Sequence, residues 1–253
     1  MKDYLQNKKI LVTGGNRGIG MAISTFLVEH GAIVAVHYNR NKSMADKLKK
    51  KFPDSIFLIQ ANLSDITNIP EMFKVVIDNL GSLDVVVNNA GVAINSGIDM
   101  QDEIWTNQWL DTMNVNLNAV GLICKKAIQY FIEKSIPGKI INISSRAAFR
   151  GDTAEYMAYA ASKGGIVSLT RSIARAYGKK GIVAFNIAPG FVKTDMAQQF
   201  FDQYGEDTAL DQIALNELTT PKDIAPFVAF LASGLADHAT GGTFDINAAS
   251  YVH

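Results

Sequence analysis

A glycine-rich stretch near the start of the chain constrains the fold most strongly. Residues 13–20 read Thr-Gly-Gly-Asn-Arg-Gly-Ile-Gly; an apolar run precedes them and a helical pattern follows. Glycine has no Cβ atom, so Gly14, Gly18 and Gly20 can adopt positive φ and let backbone N–H groups and a helix N-terminus approach a pyrophosphate. The spacing Gly-x-x-x-Gly-x-Gly differs from the usual Gly-x-Gly-x-x-Gly dinucleotide pattern. A tight strand-to-helix turn without a ligand is the alternative.

Short apolar runs alternate with helical patterns along the rest of the chain. The predicted strands are 9–12, 33–38, 56–60, 84–88, 139–143, 183–187 and 243–246. Most are apolar throughout, which is typical of a parallel sheet buried on both faces. Right-handed crossovers then give a doubly wound, Rossmann-type α/β sheet with helices on both faces and a ligand site at the carboxyl ends of the strands. With 253 residues, 48% of them hydrophobic, and no repeat or linker, we expect one domain over 1–253.

Composition argues against several classes of function. Lys plus Arg and Asp plus Glu each total 24, and this zero net charge predicts binding neither to nucleic acid nor to a membrane surface. Cys124 is the single cysteine, and the first residues lack the apolar stretch of a secretion signal, so we expect a cytoplasmic protein. The four histidines form no ligand cluster in the sequence, and we expect them to be solvated or capping side chains, with no metal site.

The segment 191–218 interrupts the alternation of strands and helices. It is long, and it carries the aromatic and apolar residues Phe191, Met196, Phe200, Phe201 and Tyr204. Long segments over the carboxyl ends of strands are often substrate lids, which is our prediction for 191–218. A helical hairpin that packs its aromatics into the core or a subunit interface is the alternative.

A tyrosine and a lysine four residues apart, Tyr159 and Lys163, carry the chemistry. On a helix the two side chains share one face, where the ammonium would favour phenolate and lower the tyrosine pKa, as suits a general acid or base. Tyr4/Lys8, Tyr38/Lys42 and Tyr130/Lys134 have the same spacing. Only Tyr159 follows a predicted strand that ends in a Ser-Ser pair, and only there are the neighbouring residues small.

Together these motifs resemble those of the short-chain dehydrogenase/reductase family over essentially the whole chain, nearest to its 3-oxoacyl-[acyl-carrier-protein] reductases. Further matching motifs are Asn-Asn-Ala-Gly at 88–91, Asn-Val-Asn at 114–116, and Pro-Gly at 189–190. The resemblance implies hydride transfer between a nicotinamide cofactor and a carbonyl or alcohol, in which the substrate is a small molecule and can be thioester-linked. It also implies a homotetramer, in which the helix carrying Tyr159, a helix over 115–132 and the last strand pair with their copies.

The resemblance assigns roles to individual residues. It makes Tyr159 the acid/base, Ser145 the hydroxyl that polarises the substrate oxygen, and Lys163 the ligand of the nicotinamide ribose. Asn116 corresponds to the asparagine that holds a water in the proton relay. Ser144 is an alternative to Ser145, since the interval to Tyr159 is one residue longer than is common in the family. Besides Tyr159 and Lys163, the expected cofactor contacts are Gly14, Asn16, Arg17, Gly18, Ile19, Gly20, Asn39, Arg40, Asn62, Leu63, Asn89, Ala90, Gly91, Pro189, Gly190, Val192 and Thr194.

The residues after the second predicted strand favour NADP(H) over NAD(H). Folds that prefer NAD place a carboxylate there for the ribose 2′-OH, whereas an arginine suits the 2′-phosphate. Between the end of this strand and Asp46 the chain has no acid, and it has Arg17 in the glycine stretch and Arg40 after the strand. Two guanidinium groups without an opposing carboxylate predict binding of the 2′-phosphate. Two solvated surface arginines are the alternative.

Two further departures from the family pattern, and one charged segment, leave the substrate open. Asn62 stands where the family commonly has Asp, and Asn-Ala-Ala-Ser at 247–250 replaces Asn-Gly-Gly, so packing at the last strand is expected to differ. The segment 191–218 is acidic, with Lys193 as the one opposing charge, which would not attract an acidic carrier protein. Its acidic residues include Asp195, Asp202, Glu206, Asp207 and Asp211. A dehydrogenase of a sugar, polyol or steroid and a non-catalytic nucleotide-sensing protein are the alternatives.

Overall fold

Seven parallel strands form one sheet in the order β3-β2-β1-β4-β5-β6-β7. The computed structural model describes residues 2–194, 197, 202 and 205–252. The strands are β1 (Lys9–Val12), β2 (Ile33–Tyr38), β3 (Ile56–Gln60), β4 (Val85–Asn88), β5 (Gly138–Ile143), β6 (Ile182–Pro189) and β7 (Thr243–Ile246). The predicted doubly wound α/β fold and its seven strands are confirmed. Three strands begin or end one or two residues away from the predicted bounds.

The sheet is buried on both faces because successive strand side chains point in opposite directions and nearly all are apolar. In β1, Ile10 and Val12 join one hydrophobic cluster, whereas Leu11, between them, joins the other. All three side chains are fully buried. This is the arrangement that the continuous apolar runs predict.

Helices cover both faces. On one face, α2 (Gly18–Glu29), α3 (Lys42–Lys51) and α10 (Pro221–Ser233) contribute to the first cluster. On the other, α4 (Ile69–Leu80), α6 (Ala119–Lys134) and α8 (Met157–Tyr177) contribute to the second. The remaining described helices are α1 (Lys2–Leu5), α5 (Asp102–Met113), α7 (Ala147–Arg150) and α9 (Glu206–Leu210). In the part of the chain that the structure describes, none of these helices has the length and apolarity needed to cross a membrane.

The helix predicted over 115–132 is longer and irregular. Helical structure runs from α5 through a π-helical turn, Asn114–Asn118, directly into α6, which ends at Lys134. The sequence pattern missed α5 because its apolar residues do not define a single face. The π-helical turn places Asn116, a buried residue, toward the core.

The carboxyl ends of β1, β4, β5 and β6 meet at one edge of the sheet, where strand order reverses between β1 and β4. In open α/β sheets this reversal point is where ligands bind. The 191–218 segment follows β6 at this edge. Of its predicted lid residues, Phe191 is described, whereas Met196, Phe200, Phe201 and Tyr204 lie outside the described residues, as does Asp195.

Candidate active site

The loop between β1 and α2 forms a cradle from which side chains are excluded. Gly14 and Gly18 have φ of 61° and 50°, as predicted. Gly20 does not have positive φ, contrary to the prediction, but a Cβ atom there would overlap the Gly14 carbonyl oxygen. Arg17, the N-cap residue of α2, makes no side-chain capping bond, so the first N–H groups of the helix remain available to an anion.

Thr13 and Asn89 fix this loop against the end of β4. Thr13 Oγ1 accepts hydrogen bonds from the backbone N–H groups of Asn89 and Ala90, both at 3.0 Å. The Asn89 side-chain amide donates to the carbonyl oxygens of Thr13 and Gly14, at 2.9 and 3.2 Å. The predicted cofactor residues of β1 and β4 therefore lie together, and Thr13 is a supporting residue.

His37 supports the same loop, a role that no pattern in the sequence indicates. The side chain is 2% exposed, not solvated as expected. Its Nδ1 accepts from the Gly14 N–H at 3.2 Å, and its Nε2 lies 3.1 Å from the Ala61 carbonyl oxygen, so this contact requires a proton on Nε2. Burial lowers the pKa of His37 to about 4, more than the hydrogen bond to Ala61 raises it. A neutral imidazole therefore connects the glycine loop to the end of β3.

We expect this buried imidazole to make the fold sensitive to acid. The unfolded chain takes up a proton near pH 6.5, whereas the folded chain does so only near pH 4. The stabilisation of the folded chain by neutral His37 is therefore fully present above pH 6.5. About 3 kcal/mol of the free energy of unfolding is lost as the pH falls to 4. Urea unfolding at pH 7, 5.5 and 4.5 measures it. His37→Gln should flatten the dependence, exposed His238→Gln should not, and equal pH dependence in all three proteins would contradict the assignment.

Arg17 and Arg40 lie at the edge of the cradle and are exposed. The buried Asn16 side chain brings the loop after β2 to the glycine loop by donating to the carbonyl oxygens of Arg40 and Asn41, both at 3.2 Å. Neither arginine forms an ion pair with a carboxylate of the described residues. Asp46, the first acid after β2, is paired with Lys42 at 2.7 Å.

The adenine-side residues predicted after β2 and β3 also meet. Asn39 donates to Asn62 Oδ1 at 3.2 Å, and the same oxygen accepts from the backbone and side chain of Ser64. Asn62 thus orders this loop by hydrogen bonds without a charge. The Leu63 side chain is buried in the core, so only its backbone can serve a ligand, whereas Ile19 is partly exposed.

Ser145, Tyr159 and Lys163 come together between β5 and α8. The helix carries Tyr159 and Lys163 on one face, and Lys163 Nζ lies 5.6 Å from the tyrosine ring centroid. That ammonium is buried and donates to the Ile143 carbonyl oxygen at 2.9 Å. The Ser145 hydroxyl is near enough to the Tyr159 phenol to lower its pKa. The structure thus places the predicted hydroxyl, phenol and ammonium in one cluster.

The expected lowering of the Tyr159 pKa is wrong for this chain by itself. Burial raises the pKa of the phenol above its ordinary value, and the hydrogen bond from Ser145 lowers it by less. Burial also lowers the pKa of Lys163 to about 8. The phenol is therefore protonated near neutral pH, which suits proton donation.

Ser144 and Ser145 have different surroundings. Ser144 Oγ donates to the Ile187 carbonyl oxygen at 3.1 Å and accepts from Asn186 Nδ2 at 2.7 Å, so its hydroxyl joins β5 to β6. Ser145 Oγ instead accepts from the Ala147 N–H at 3.1 Å, at the start of α7, and interacts with Tyr159. This difference favours Ser145 as the active hydroxyl.

Asn116 joins the π-helical turn to the cluster. Its Oδ1 accepts from the Val92 N–H at 2.8 Å, and its Nδ2 donates to the Val92 carbonyl oxygen and to Ser162 Oγ, at 2.9 and 3.1 Å. A Cβ atom at Gly91 would lie 3.3 Å from Lys163 Nζ and 3.4 Å from Asn116 Oδ1. The absence of a side chain at 91 therefore lets these two side chains converge.

The segment after β6 closes the other side of the cleft. The Gly190 N–H donates to the Ile246 carbonyl oxygen at 3.1 Å, and Val192 is buried in a bridge to Thr219. A Cβ atom at Gly18 would lie 3.4 Å from the Thr194 methyl carbon. The stretch from Pro189 to Thr194, predicted to bind the carboxamide, thus reaches the glycine loop.

The Asn-Ala-Ala-Ser sequence after β7 contains two alanines in the left-handed region. Ala248 and Ala249 both have positive φ, 50° and 56°, a backbone conformation in which glycine would be unstrained. They line a cavity of about 480 Å³ between 215–219 and 245–252. None of the predicted site residues lines this cavity, although its lining residues Thr219 and Asn247 contact Val192 and Gly190.

Comparisons with known proteins agree with this geometry. The family model described as short chain dehydrogenase matches residues 8–205. The 3-oxoacyl-[acyl-carrier-protein] reductase FabG of Staphylococcus aureus strain N315 is 38% identical over 249 residues, covering 97% of this chain and 98% of the relative. The enzyme of the same name from Vibrio harveyi is 33% identical over 249 residues, covering 98% and 99%.

A solved structure is similar to this chain over nearly its whole length. The crystal structure of a short chain dehydrogenase from Burkholderia cenocepacia J2315, in complex with NADP, superposes with a TM-score of 0.87. Its sequence is 29% identical, and the match covers 98% of this chain and 99% of that one. The similarity therefore extends over the whole fold.

Proposed function

The chain belongs to the short-chain dehydrogenase family and is a nicotinamide-dependent oxidoreductase acting on carbonyl and hydroxyl groups, and we propose that it is an NADP(H)-dependent carbonyl reductase. The observation that carries the proposal is the cluster of Ser145, Tyr159 and buried Lys163, next to the glycine cradle. A 3-oxoacyl thioester, the substrate class that the relatives' names give, is one candidate substrate.

The residues present fit a dinucleotide. Gly20 has no Cβ atom, which would overlap the Gly14 carbonyl oxygen, and no side chain caps the N-terminus of α2. Backbone N–H groups of the loop and of the helix can therefore bind a pyrophosphate. Lys163 would hold the nicotinamide ribose, and the stretch from Pro189 to Thr194 the carboxamide. Bound NADP(H) would supply or accept the hydride, chemistry that the protein side chains do not possess.

The side chains supply orientation and the proton. In reduction, Ser145 donates a hydrogen bond to the substrate carbonyl oxygen and stabilises the negative charge that develops there. Tyr159 transfers its phenolic proton to the same oxygen, which completes the alcohol. Lys163 holds its positive charge beside the phenolate that remains, and Asn116 orders the loop behind the lysine. A protonated Tyr159 at neutral pH suits the role of proton donor in reduction.

A panel of carbonyl compounds tests this function. We expect loss of NADPH absorbance with at least one member of a panel that includes acetoacetyl thioesters, sugars, polyol-derived ketones and steroids. The preferred member names the substrate class. A non-catalytic nucleotide sensor would bind NADPH and reduce none, but it would not need the intact set of Asn116, Ser145, Tyr159 and Lys163.

The described charges of the 191–218 segment do not favour an acyl carrier protein as a partner. Glu206, Asp207 and Asp211 are exposed on the 191–218 segment. Lys193, the cation predicted to oppose them, is paired with Glu206 at 2.5 Å. An acidic carrier would therefore meet like charge at this segment, which we propose to cover the substrate pocket as a lid.

The preference for NADP(H) rests on Arg17 and Arg40 and on the absence of an unpaired acid in the loop after β2. We expect Arg40→Gln to narrow the ratio of NADPH to NADH affinity by roughly tenfold to a hundredfold, since one charge-assisted contact of about 1.5–3 kcal/mol is lost. Fluorescence titration with both cofactors measures it. Lys47→Gln, which removes an exposed cation of α3, should leave the ratio unchanged. Equal affinity for both cofactors in the unmutated protein would overturn the preference.

We also propose a homotetramer. Leu110 of α5 and Ile132 of α6 are 49% and 40% exposed, apolar surface that pairing with copies of these helices would cover. Light scattering should then give four times the chain mass of 27.5 kDa, and a stable monomer would refute the arrangement. The cytoplasmic location remains a prediction of the sequence.

A further inference from the structure

Arg146 directly follows Ser145, and the mechanism above does not use its side chain. It is 4% exposed. Its backbone N–H donates to the Pro189 carbonyl oxygen at 2.9 Å, which holds this turn against the end of β6. The guanidinium carbon lies 4.1 Å from the ring centroid of Phe191, and Nη2 donates to Gln212 Oε1 at 3.3 Å. The side chain thus leaves the chain one residue after Ser145 and contacts two residues of the 191–218 segment, Phe191 and Gln212.

The charge of Arg146 lacks a counterion among the described residues. Its Nη1 is buried without a hydrogen-bond partner there, and no described carboxylate forms an ion pair with it. Arg150, at the other end of α7, repels it, and Asp152 is the described acid that attracts it from a longer distance. Burial, more than Arg150, lowers the pKa of Arg146 to about 10, so the group is still charged at pH 7.

We do not expect an arginine with only a structural role to have a buried charge without a counterion and an N–H group without a hydrogen-bond partner. Burying a guanidinium is strongly unfavourable unless its charge is compensated, and stacking on one ring with one hydrogen bond to a neutral amide compensates it only in part. A planar guanidinium with a free N–H donor matches the two oxygens of a carboxylate. A single buried cation balances a singly charged carboxylate, whereas a phosphate dianion would leave uncompensated negative charge near the acidic lid.

We propose that Arg146 is the anion-binding subsite of the substrate pocket and that the substrate is an oxo acid. Its carboxylate would pair with the guanidinium while its carbonyl oxygen lies between Ser145 and Tyr159. The inference rests on the proposed function and narrows its substrate class. An acyl thioester carries no charge close to its 3-oxo group, so this subsite favours small oxo acids over fatty acyl thioesters.

Ligand binding without turnover tests the subsite. The protein saturated with NADP⁺ is titrated with pyruvate, acetoacetate and levulinate, which differ in the spacing of carbonyl and carboxylate, and with their methyl esters. We expect at least one acid to bind tenfold or more tightly than its ester. Arg146→Gln should abolish that preference, a loss of roughly tenfold to a hundredfold in acid affinity, and Arg146→Lys should keep part of it.

Arg150→Gln is the matched control, because it removes the same charge from an exposed position four residues away. It should bind the acids like the unmutated protein. NADP⁺ affinity and the melting temperature report whether each variant is folded. If Arg146→Gln does not fold, the subsite is tested by comparing the ratio of acid to ester affinity in the unmutated protein and in Arg146→Lys.

The subsite is refuted if no acid binds better than its ester, or if Arg146→Gln binds acids as tightly as before. These outcomes differ from a failure of the proposed function. Reduction of neutral carbonyls without any advantage for acids would refute the subsite alone. Tight acid binding without NADPH consumption on any carbonyl would refute the reductase and leave the subsite.

Discussion

Tyr159→Phe should abolish turnover while leaving NADP(H) affinity nearly unchanged. The substitution removes only the phenolic oxygen and its proton, and the ring that packs on α8 remains. General acid catalysis contributes on the order of a hundredfold to ten-thousandfold, so we expect kcat to fall by that factor. Stopped-flow or steady-state loss of NADPH absorbance gives kcat, and fluorescence titration gives the cofactor affinity.

Tyr130→Phe is the matched control, because Tyr130 has the same spacing to a lysine but lies on α6, away from Ser145. It should keep full activity. If Tyr159→Phe retained most of its activity, the proton donor would have to be another group, and Tyr156, in the turn before α8, would be the next to replace.

Gly20→Ala should raise the dissociation constant of NADP(H) at least about a hundredfold, the equivalent of one or two lost charge-assisted bonds. The added Cβ atom would overlap the Gly14 carbonyl oxygen and would lie 2.5 Å from Asn89 Nδ2. Relief requires movement of the backbone that forms the cradle. Overpacking of this kind also costs about 1–3 kcal/mol of the free energy of unfolding.

Gly178→Ala provides the control. Gly178 has φ of −54°, and a Cβ atom there would have no neighbour within 4 Å among the atoms of the structure. Alanine should be neutral or stabilising by about 0.5–1 kcal/mol, with unchanged cofactor affinity. Cofactor binding by Gly20→Ala equal to that of Gly178→Ala would contradict the assignment of the cradle.

The sequence predicted the sheet well because its strands are continuous apolar runs, a signal that depends on local composition. Helix spacing placed Tyr159 and Lys163 on one face, and the resemblance to the family added Ser145, with Ser144 as the alternative. The direction of the Tyr159 pKa shift was wrong because it depends on burial, which spacing does not reveal. Helical spacing suggested an ammonium acting on the phenol, whereas Lys163 donates its hydrogen bond to Ile143.

Other features had no local signal. His37 is one histidine in an apolar strand, and only the fold shows that its two ring nitrogens meet residues on β1 and β3 loops. The burial of Arg146 depends on Phe191 and Gln212, which are 45 or more positions away in the chain. The π-helical turn at Asn114–Asn118 interrupts a helix without a glycine or proline to mark it. Contacts between distant segments determine each of these features.

Isotope transfer from the cofactor tests directly whether the protein transfers a hydride from the nicotinamide to a carbonyl carbon. NADPH carrying deuterium at nicotinamide C4 is incubated with the protein and the preferred carbonyl from the panel, and the product is analysed by mass spectrometry and NMR. We expect deuterium on the carbinol carbon from one face of the nicotinamide, with labelling lost in Tyr159→Phe. Unlabelled alcohol, or no consumption of NADPH with any carbonyl tested, would contradict the account.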